Sequence, residues 1–405
     1  MAMFDFTLEP YWTLVLLLAG GVYLAVLELV RRGLLHLDQK VKRESPSERP
    51  DSSAPYVSVI IPCRNEARHI GETLEDLGKQ DYPADRFEVI VVDDRSSDGS
   101  GEIAGRFHDR VSGLKVLRVE SCPAGISPKK NALRRGFALA RGEIIISTDA
   151  DCRFPSGWIS SLSSEFNPET GLATGLTIFD RGIQEPFWQR MQQLDYLSHS
   201  FFAAGAISRG WAFNCNGSNL ALRRAAFEDI DGYADFKQVI TGDDTLLLQR
   251  LRRRGRWRLC FSARPASLVR SWPEETPMDV LNQRLRWGSG GLSYSSPALV
   301  FALCTFVFFL SLLLSPILWL LGLASSFWMF LLILKALQEA RVMAQGFQAF
   351  GLKPDWSAFL VMELIHIPAI LSFSIGGHVV GFRWKGERFR RAKAAPISPG
   401  EVAEA

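Results

Sequence analysis

The sequence predicts an α/β domain, a mainly parallel sheet covered by helices on both faces, set between transmembrane helices at both ends of the chain. Three observations lead there. Short β-branched apolar runs alternate with helix-like stretches from Val57 to Thr148, the pattern of strands buried on both faces and joined by helical crossovers. Acidic residues stand directly after two of these runs, where a parallel sheet opens its loops and helix N-termini to ligands. Long apolar stretches flank the block on either side, and a spanning helix needs roughly 20 consecutive apolar residues.

Taken in order, Tyr11 to Val30 has no charge before Glu28 and is closed by Arg31 and Arg32. It is longer than a signal-peptide core and no convincing cleavage site follows, so residues 1–43 are expected to be a retained anchor with a basic flank. The run ESPSERPDSSAP at 44–55 has the composition of a linker. A catalytic block is expected over 56–296. Its first strands are placed at Val57–Pro62, Phe87–Val92, Leu114–Val119 and Glu143–Thr148, and its first helices at Glu66–Lys79 and Lys130–Ala140. Between Gln184 and Gly210 aromatic and polar residues mix, which suits either a helix at the lipid headgroups or ordinary packing on the sheet. Ala298 to Leu334 is uncharged and too long for one helix, so a helical hairpin turning near Pro316 or Gly322 is expected. Trp356 to Phe382 contains Glu363, His366 and Pro368 and could span, re-enter or lie along the interface. These segments make 297–382 a C-terminal membrane region, followed by a basic and then flexible tail at 383–405.

Charge narrows the function. The net charge of +3 is too small to argue for nucleic acid as a partner. The six cysteines are widely spaced with no Cys-x-x-Cys pair, which fits a reducing compartment and no disulfide framework. Arg31, Arg32, Lys40, Lys42 and Arg43 follow the first apolar segment, and six basic residues lie between Arg383 and Lys393. The positive-inside tendency places both clusters, and the block between them, in the cytoplasm. An outside N-terminus with three crossings satisfies both clusters and leaves the last apolar segment re-entrant or interfacial. The expected setting is a bacterial inner membrane, with membrane lipids as neighbours.

Four signatures carry the chemistry. Asp149-Ala150-Asp151 follows Ile144-Ile145-Ile146-Ser147-Thr148, so a strand delivers two carboxylates into the cleft. Hard oxygen ligands of this kind suit Mg²⁺ or Mn²⁺, which bridges the oxygens of a diphosphate. Asp93-Asp94 closes the second strand; Ser97 or Asp98 can cap the next helix, and the two earlier carboxylates remain for a base or ribose. Lys129 and Lys130, after Pro128 at a helix start, could meet phosphate. Gly242-Asp243-Asp244 precedes a helical run, where a carboxylate can cap the helix or serve as the general base for a hydroxyl nucleophile. Gln283-x-x-Arg286-Trp287 puts Gln and Arg on one helix face beside an indole. The guanidinium could steady a departing diphosphate and the indole could wall an acceptor site or anchor the helix at the membrane interface.

In this order the motifs resemble those of family 2 glycosyltransferases, which have a GT-A fold, over about residues 55 to 290. The resemblance implies a nucleotide-contacting loop within Val57 to Glu66, with Pro62, Arg64 and Glu66 among its contacts. Asp93 and Asp94 would hold the nucleotide base, and Asp149 with Asp151 would hold the divalent ion on the diphosphate. Asp244 would be the catalytic base, with Gln283, Arg286 and Trp287 beside it. Gly-Asp-Asp stands where the family commonly has Thr-Glu-Asp, which separates the role of Asp243 from that of Asp244. Asn216, Gly217 and Asn219 fall where such enzymes contact acceptor or donor sugar. The implied activity is inverting transfer of a sugar from a nucleotide diphosphate donor to a membrane-associated acceptor, lipid-linked or a growing glycan. A processive polysaccharide synthase and a non-enzymatic nucleotide-binding scaffold are the alternatives. The small hydrophobic part argues against the first of these and the intact acidic set against the second.

Overall fold

The structure, a computed structural model, describes residues 8–43, 54–180 and 186–389. Most of the expected linker and the tail from 390 onward lie outside the described residues. Helix α1 (Glu9–Arg43) precedes β1 (Val57–Cys63), α2 (Ile70–Leu77), β2 (Phe87–Asp94), α3 (Ser100–Gly105), β3 (Lys115–Val119), α4 (Pro128–Leu139), β4 (Ile144–Ser147) and α5 (Trp158–Ser163). Then come β5 (Thr170–Gly175), β6 (Thr177–Phe179), α6 (Phe187–Ser208), β7 (Leu220–Arg223), α7 (Arg224–Asp229), α8 (Thr245–Arg254), β8 (Arg258–Ser262), β9 (Val269–Ser271) and α9 (Pro277–Gly288). Helices α10 (Ser296–Leu320), α11 (Phe327–Ala349) and α12 (Trp356–Val379) follow, and then a hairpin of β10 (Phe382–Trp384) and β11 (Glu387–Phe389).

The main sheet has the order β3-β2-β1-β4-β7-β5-β8, parallel except that β7 runs against both its neighbours. The register sets Ile60 beside Ile90 and Ser147. Because side chains alternate across a strand, Ile60, Ile90, Val92 and Ile145 enter one core while Val59, Ile61, Val89, Val91 and Ile146 enter the other. Each such fully buried side chain contributes about 1.5–3 kcal/mol. This two-sided burial is why the strands are continuous apolar runs.

The expected helix at Glu66 begins only at Ile70. The backbone N–H groups of Asn65, Glu66 and Ala67 are taken by Ser96, Ser100 and Asp98. The loops after β1 and β2 are thereby stitched together, so Asp98 reaches across to the first loop as well as accepting from Ser100 N–H beside it. Such local side-chain bonds compete with helix formation.

One core continues from the sheet into the long helices. The aromatic-rich stretch forms α6, which buries Leu194, Leu197 and Phe201 and packs on α1, so packing accounts for it. A Cβ on Gly33 of α1 would collide with the carbonyl oxygen of Gly205 in α6, which is how closely the two backbones cross. The expected hairpin turns at Gly322, with Pro316 inside α10, but α1 packs more extensively on α10 and on α11 than these two pack on each other. At one end of this bundle Trp12 donates to Ser315 Oγ at 2.9 Å. Further along, the buried Lys335 ammonium lies 3.0 Å from Glu363, 3.3 Å from His366 Nδ1 and 2.9 Å from Glu339, and Tyr23 OH also donates to Glu339. This paired cluster joins α1, α11 and α12.

Among the described residues, α1, α10 from Pro297, and α12 are long and apolar enough to cross a membrane. Both ends of α12 are nevertheless tied to the sheet domain. At its N-terminus Asp355 pairs with Arg190 of α6 at 2.7 Å, and near its C-terminus Gly377 and Phe373 touch the backbone of α9 at Leu285 and Gly288. The basic segment after α12 does not leave the domain at once, since β10 and β11 dock with Phe382 and Phe389 buried beside Leu285.

Candidate active site

The C-terminal ends of β1, β2 and β4 open on one cavity of about 540 Å³, whose far wall is built by α6, α9, α10 and α12. Pro62, Arg64, Glu66, Asp94, Lys129, Asp149, Asp151, Asn216, Gly217, Asp243, Asp244, Gln283, Arg286 and Trp287 all line it. Side chains separated by more than 200 residues are therefore assembled around a single space.

Lys129 is the link between the two acidic groups. Its Nζ lies 2.7 Å from Asp149 Oδ1 and 3.4 Å from Asp243 Oδ2. These carboxylates outweigh burial and raise the lysine's pKa, so it remains charged. Asp151 accepts from Ser271 Oγ at 3.0 Å, and burial together with the neighbouring Asp149 pushes its pKa up. Two carboxylates that repel one another and expose oxygen donors to a cavity suit a divalent cation.

Asp244 accepts from Gly217 N–H at 2.7 Å and from Thr245 N–H, so it caps α8 and faces the cavity at once. The capping bond thus leaves the carboxyl group on the cavity wall. A Cβ at Gly217 would stand 3.3 Å from oxygens of both Asp243 and Asp244, a tight contact that would push the carboxylates by a few tenths of an ångström. Burial, reinforced by the charge on Asp243, raises the Asp244 pKa to about 6. Burial acts on Asp243 too, but Lys129 and Lys130 overcome it and hold that carboxyl below its ordinary value. Environment thus drives the two adjacent aspartates apart.

On α9, Gln283 donates to Glu274 at 2.6 Å, and Arg284 pairs with Asp195 at 2.6 Å while stacking 4.2 Å over Trp287. Trp287 also lies 6.2 Å from the Tyr196 ring and 6.0 Å from His199. Burial lowers the Arg286 pKa, with Asp243 and Glu274 countering it. Its guanidinium lies 5.4 Å over the Trp384 ring.

Three residues sit differently from the sequence expectation. Asp93 is buried and accepts from Ser96 N–H, with Gly101 packed on it, so Asp94 alone of the pair faces the cavity. Asp94 is held by Arg95 through two contacts of 3.0 Å. Lys130 is buried and donates to the carbonyls of Val239 and Thr241, where it fixes the approach to Gly242 and is turned away from any phosphate. Burial lowers its pKa to about 8. Asn219 is also buried, accepting from Trp158 and donating to Leu176 and Ser267 carbonyls, so it clamps the sheet. Asn216 stays at the cavity, capping the 3₁₀ turn at Gly217 through Ser218 N–H.

Sequence reasoning missed the β10–β11 hairpin. Lys385 at its tip pairs with Glu66, and Glu387 pairs with Arg64 at 2.8 Å. Burial raises the Glu66 pKa to about 7, against the pull of Lys385. The signal was present in Phe382-Arg383-Trp384-Lys385-Gly386-Glu387-Arg388-Phe389, where aromatic residues flank a turn with Gly386 at φ 81. It was hidden by the basic composition of the tail.

The sheet, with acidic residues at the ends of its strands, has the GT-A type of fold. Residues 58–231 match the family model described as glycosyl transferase family 2, so that segment carries the domain of that family. It is 28% identical over 295 residues to beta-monoglucosyldiacylglycerol synthase of Synechocystis sp., covering 70% of this chain and 60% of that protein. It is 29% identical over 238 residues to the probable glycosyltransferase YdaM of Bacillus subtilis, covering 58% of this chain and 55% of that one. The chain thus spans less than two thirds of either relative. The fold is shared with the mannosyltransferase PcManGT of Pyrobaculum calidifontis, solved with GDP-Man and Mn²⁺, at a TM-score of 0.51 and 19% identity over 85% of this chain and 99% of that one.

Proposed function

We propose that this enzyme transfers a sugar, with inversion, from a nucleotide diphosphate donor to a membrane-associated acceptor in a single addition. The observation that carries the reading is the Lys129 bridge, which brings the Asp149–Asp151 pair and the Asp243–Asp244 pair to one cavity. Asp94, Arg64 and Glu66 are assigned to the nucleoside end. Asp149 and Asp151 would hold Mg²⁺ or Mn²⁺, which supplies positive charge to the diphosphate oxygens. Lys129, Arg286 and Lys385 add fixed cations around the same group, the charge that develops as it departs.

Asp244 takes the proton of the acceptor hydroxyl as its oxygen attacks the anomeric carbon. The new C–O bond forms while the bond to the diphosphate breaks, and the electron pair leaves with the diphosphate. Its pKa near 6 leaves the carboxylate ionised at neutral pH and still a competent base. Trp287 walls the acceptor position, and Gln283 with Glu274 sets the α9 side of the cleft.

The chain divides into an anchor at 1–43, a linker at 44–55, a catalytic domain at 56–296, a membrane region at 297–382 and the tail from 383, whose first turn serves the catalytic domain. The basic end of α1 lies against that domain through Lys40 and Glu165 at 3.2 Å, which supports a cytoplasmic catalytic side at a bacterial inner membrane. Attachment of α12 to the domain at both ends supports an interfacial placement. The test is to incubate the full chain in membranes with a panel of nucleotide sugars, with Mg²⁺, Mn²⁺ or chelator. Metal-dependent nucleotide release coupled to a sugar-bearing membrane product is expected; release of nothing from any donor overturns the reading.

A further inference from the structure

We propose that the protein binds the headgroup of an anionic phospholipid in a basic pocket beside α1, apart from its reaction space. A second cavity of about 190 Å³ lies between the C-terminal half of α1, the end of α6 and the turn from α8 into β8. Four of its lining side chains, His36, Lys40, Arg252 and Arg258, can carry positive charge, and none carries a negative one. Lys40 shares the carboxylate of Glu165 at 3.2 Å, outside the lining. Arg252 and Arg258 have no carboxylate partner among the described residues, whereas Arg254 and Arg256 of the same run are both drawn to Asp229, at 3.2 and 4.0 Å. Local pairing thus settles Arg254 and Arg256 but leaves the two arginines that line the pocket. Gathered charge of one sign repels itself and attracts an anion.

Position makes that anion a lipid. Helix α1 is long and apolar enough to cross a membrane, and its apolar run ends at Val30. A Cβ on Gly33 would stand 3.0 Å from Arg209 Cγ, so this exposed side chain, also without a carboxylate partner among the described residues, lies beside α1 just past that run. Gly33 is about 4–5 Å beyond Val30 along the helix, and His36 about 9 Å. The headgroup layer on each face of a bilayer is roughly 5–8 Å thick, and long basic side chains reach back toward it. Arg209, His36 and the pocket therefore stand at the depth of lipid phosphates. The anionic cytoplasmic leaflet supplies such phosphates on the side where α1 carries its basic residues. Leu37, Ile207 and Trp257 give the pocket an apolar wall for the first carbons of the lipid. Asp244 is not part of this lining, so the bound lipid is a ligand and not the acceptor. Phe261 of β8 lines both the pocket and the catalytic cavity, so occupancy bears on a wall of the reaction space.

The test uses the full chain purified in an uncharged detergent, with thermal unfolding followed as dioctanoyl phosphatidylglycerol, dioctanoyl phosphatidylcholine or glycerol phosphate is added. Saturable, salt-sensitive stabilisation by phosphatidylglycerol is expected, with none from phosphatidylcholine and a weaker response to glycerol phosphate, which lacks the chains. Arg252→Gln combined with Arg258→Gln should weaken the apparent Kd for phosphatidylglycerol by about tenfold or more. Arg254→Gln combined with Arg256→Gln removes the same formal charge outside the pocket and should leave that Kd near its starting value. Equal stabilisation by the two lipids, saturation by glycerol phosphate at the concentration that phosphatidylglycerol needs, an unchanged Kd in the first double variant, or equal losses in both would overturn the inference. If the first double variant does not fold, Arg252→Gln alone is compared in the same way. Binding is read here without turnover, so the outcome does not depend on the glycosyl-transfer reading.

Discussion

The two ends of the cavity differ in how their charges are settled. At the donor end, under β1, β2 and β4, carboxylates alternate with cations: Asp94 with Arg95, Glu66 with Lys385, Asp149 with Lys129. At the acceptor end, α6, α10 and α12 present aromatic, hydroxyl and aliphatic groups with one committed ion pair between Asp195 and Arg284. Asp243 and Asp244 stand where the two meet. Position at that boundary gives adjacent aspartates opposite shifts, since the lysines reach Asp243 while Asp244 is dominated by burial. The contrast is between a sheet edge of paired charges and a helical wall of aromatic, hydroxyl and aliphatic groups around one space.

The largest effect is expected at the boundary. Asp244→Asn should lower transfer by roughly 10²–10⁴-fold while nucleoside diphosphate still binds, as measured by calorimetry beside turnover. Full activity in that variant would remove the assigned base. Next, Asp151→Asn should weaken the metal dependence and reduce turnover by about 10²-fold or more, read from a Mn²⁺ titration. An unchanged titration would move the metal away from this pair.

A smaller effect, about tenfold on the donor KM, is expected for Lys385→Ala, the size of one lost charged hydrogen bond. Ala302→Trp, on the α10 wall of the cavity, should leave that KM near its starting value, which separates the two ends kinetically. The pH profile refines the boundary further. Asp244 acts as a base only when ionised, so kcat/KM should rise with pH through about 6. Asp243→Asn removes the like charge and should move that rise to lower pH; no movement would uncouple the pair. The smallest chemical effect belongs to Asn219→Ala. It removes buried hydrogen bonds to Leu176, Ser267 and Trp158 and should cost about 1–3 kcal/mol of stability. Thermal unfolding should register the loss while kcat of the folded protein stays near its original value.

Much of the donor end was legible because it follows from strand periodicity. The runs ending at Cys63, Asp94 and Ser147 are buried on both faces, and their C-terminal ends carry the expected carboxylates to the cavity. Which member of a pair faces inward was less legible, because alternation along a strand does not reveal the turn that follows. Asp93 turned to Ser96 N–H, and Lys130 sank beneath the loop that leads to Gly242. The family resemblance placed Asn219 at a sugar contact, yet its partners come from segments more than 40 residues away. The β10–β11 hairpin itself was readable around Gly386, but its return to the cavity after three long helices depends on packing that local sequence does not encode. The acceptor side depends on helix packing, through close approaches such as Gly288 on Phe373, which sequence spacing alone does not encode.

The most direct measurement is the stereochemistry of the product, by NMR of the anomeric proton, when an α-linked nucleotide sugar is the donor. A single displacement driven by Asp244 across this cavity predicts a β-linked product. An α-linked product would contradict the account, because retention requires a different course at the anomeric carbon.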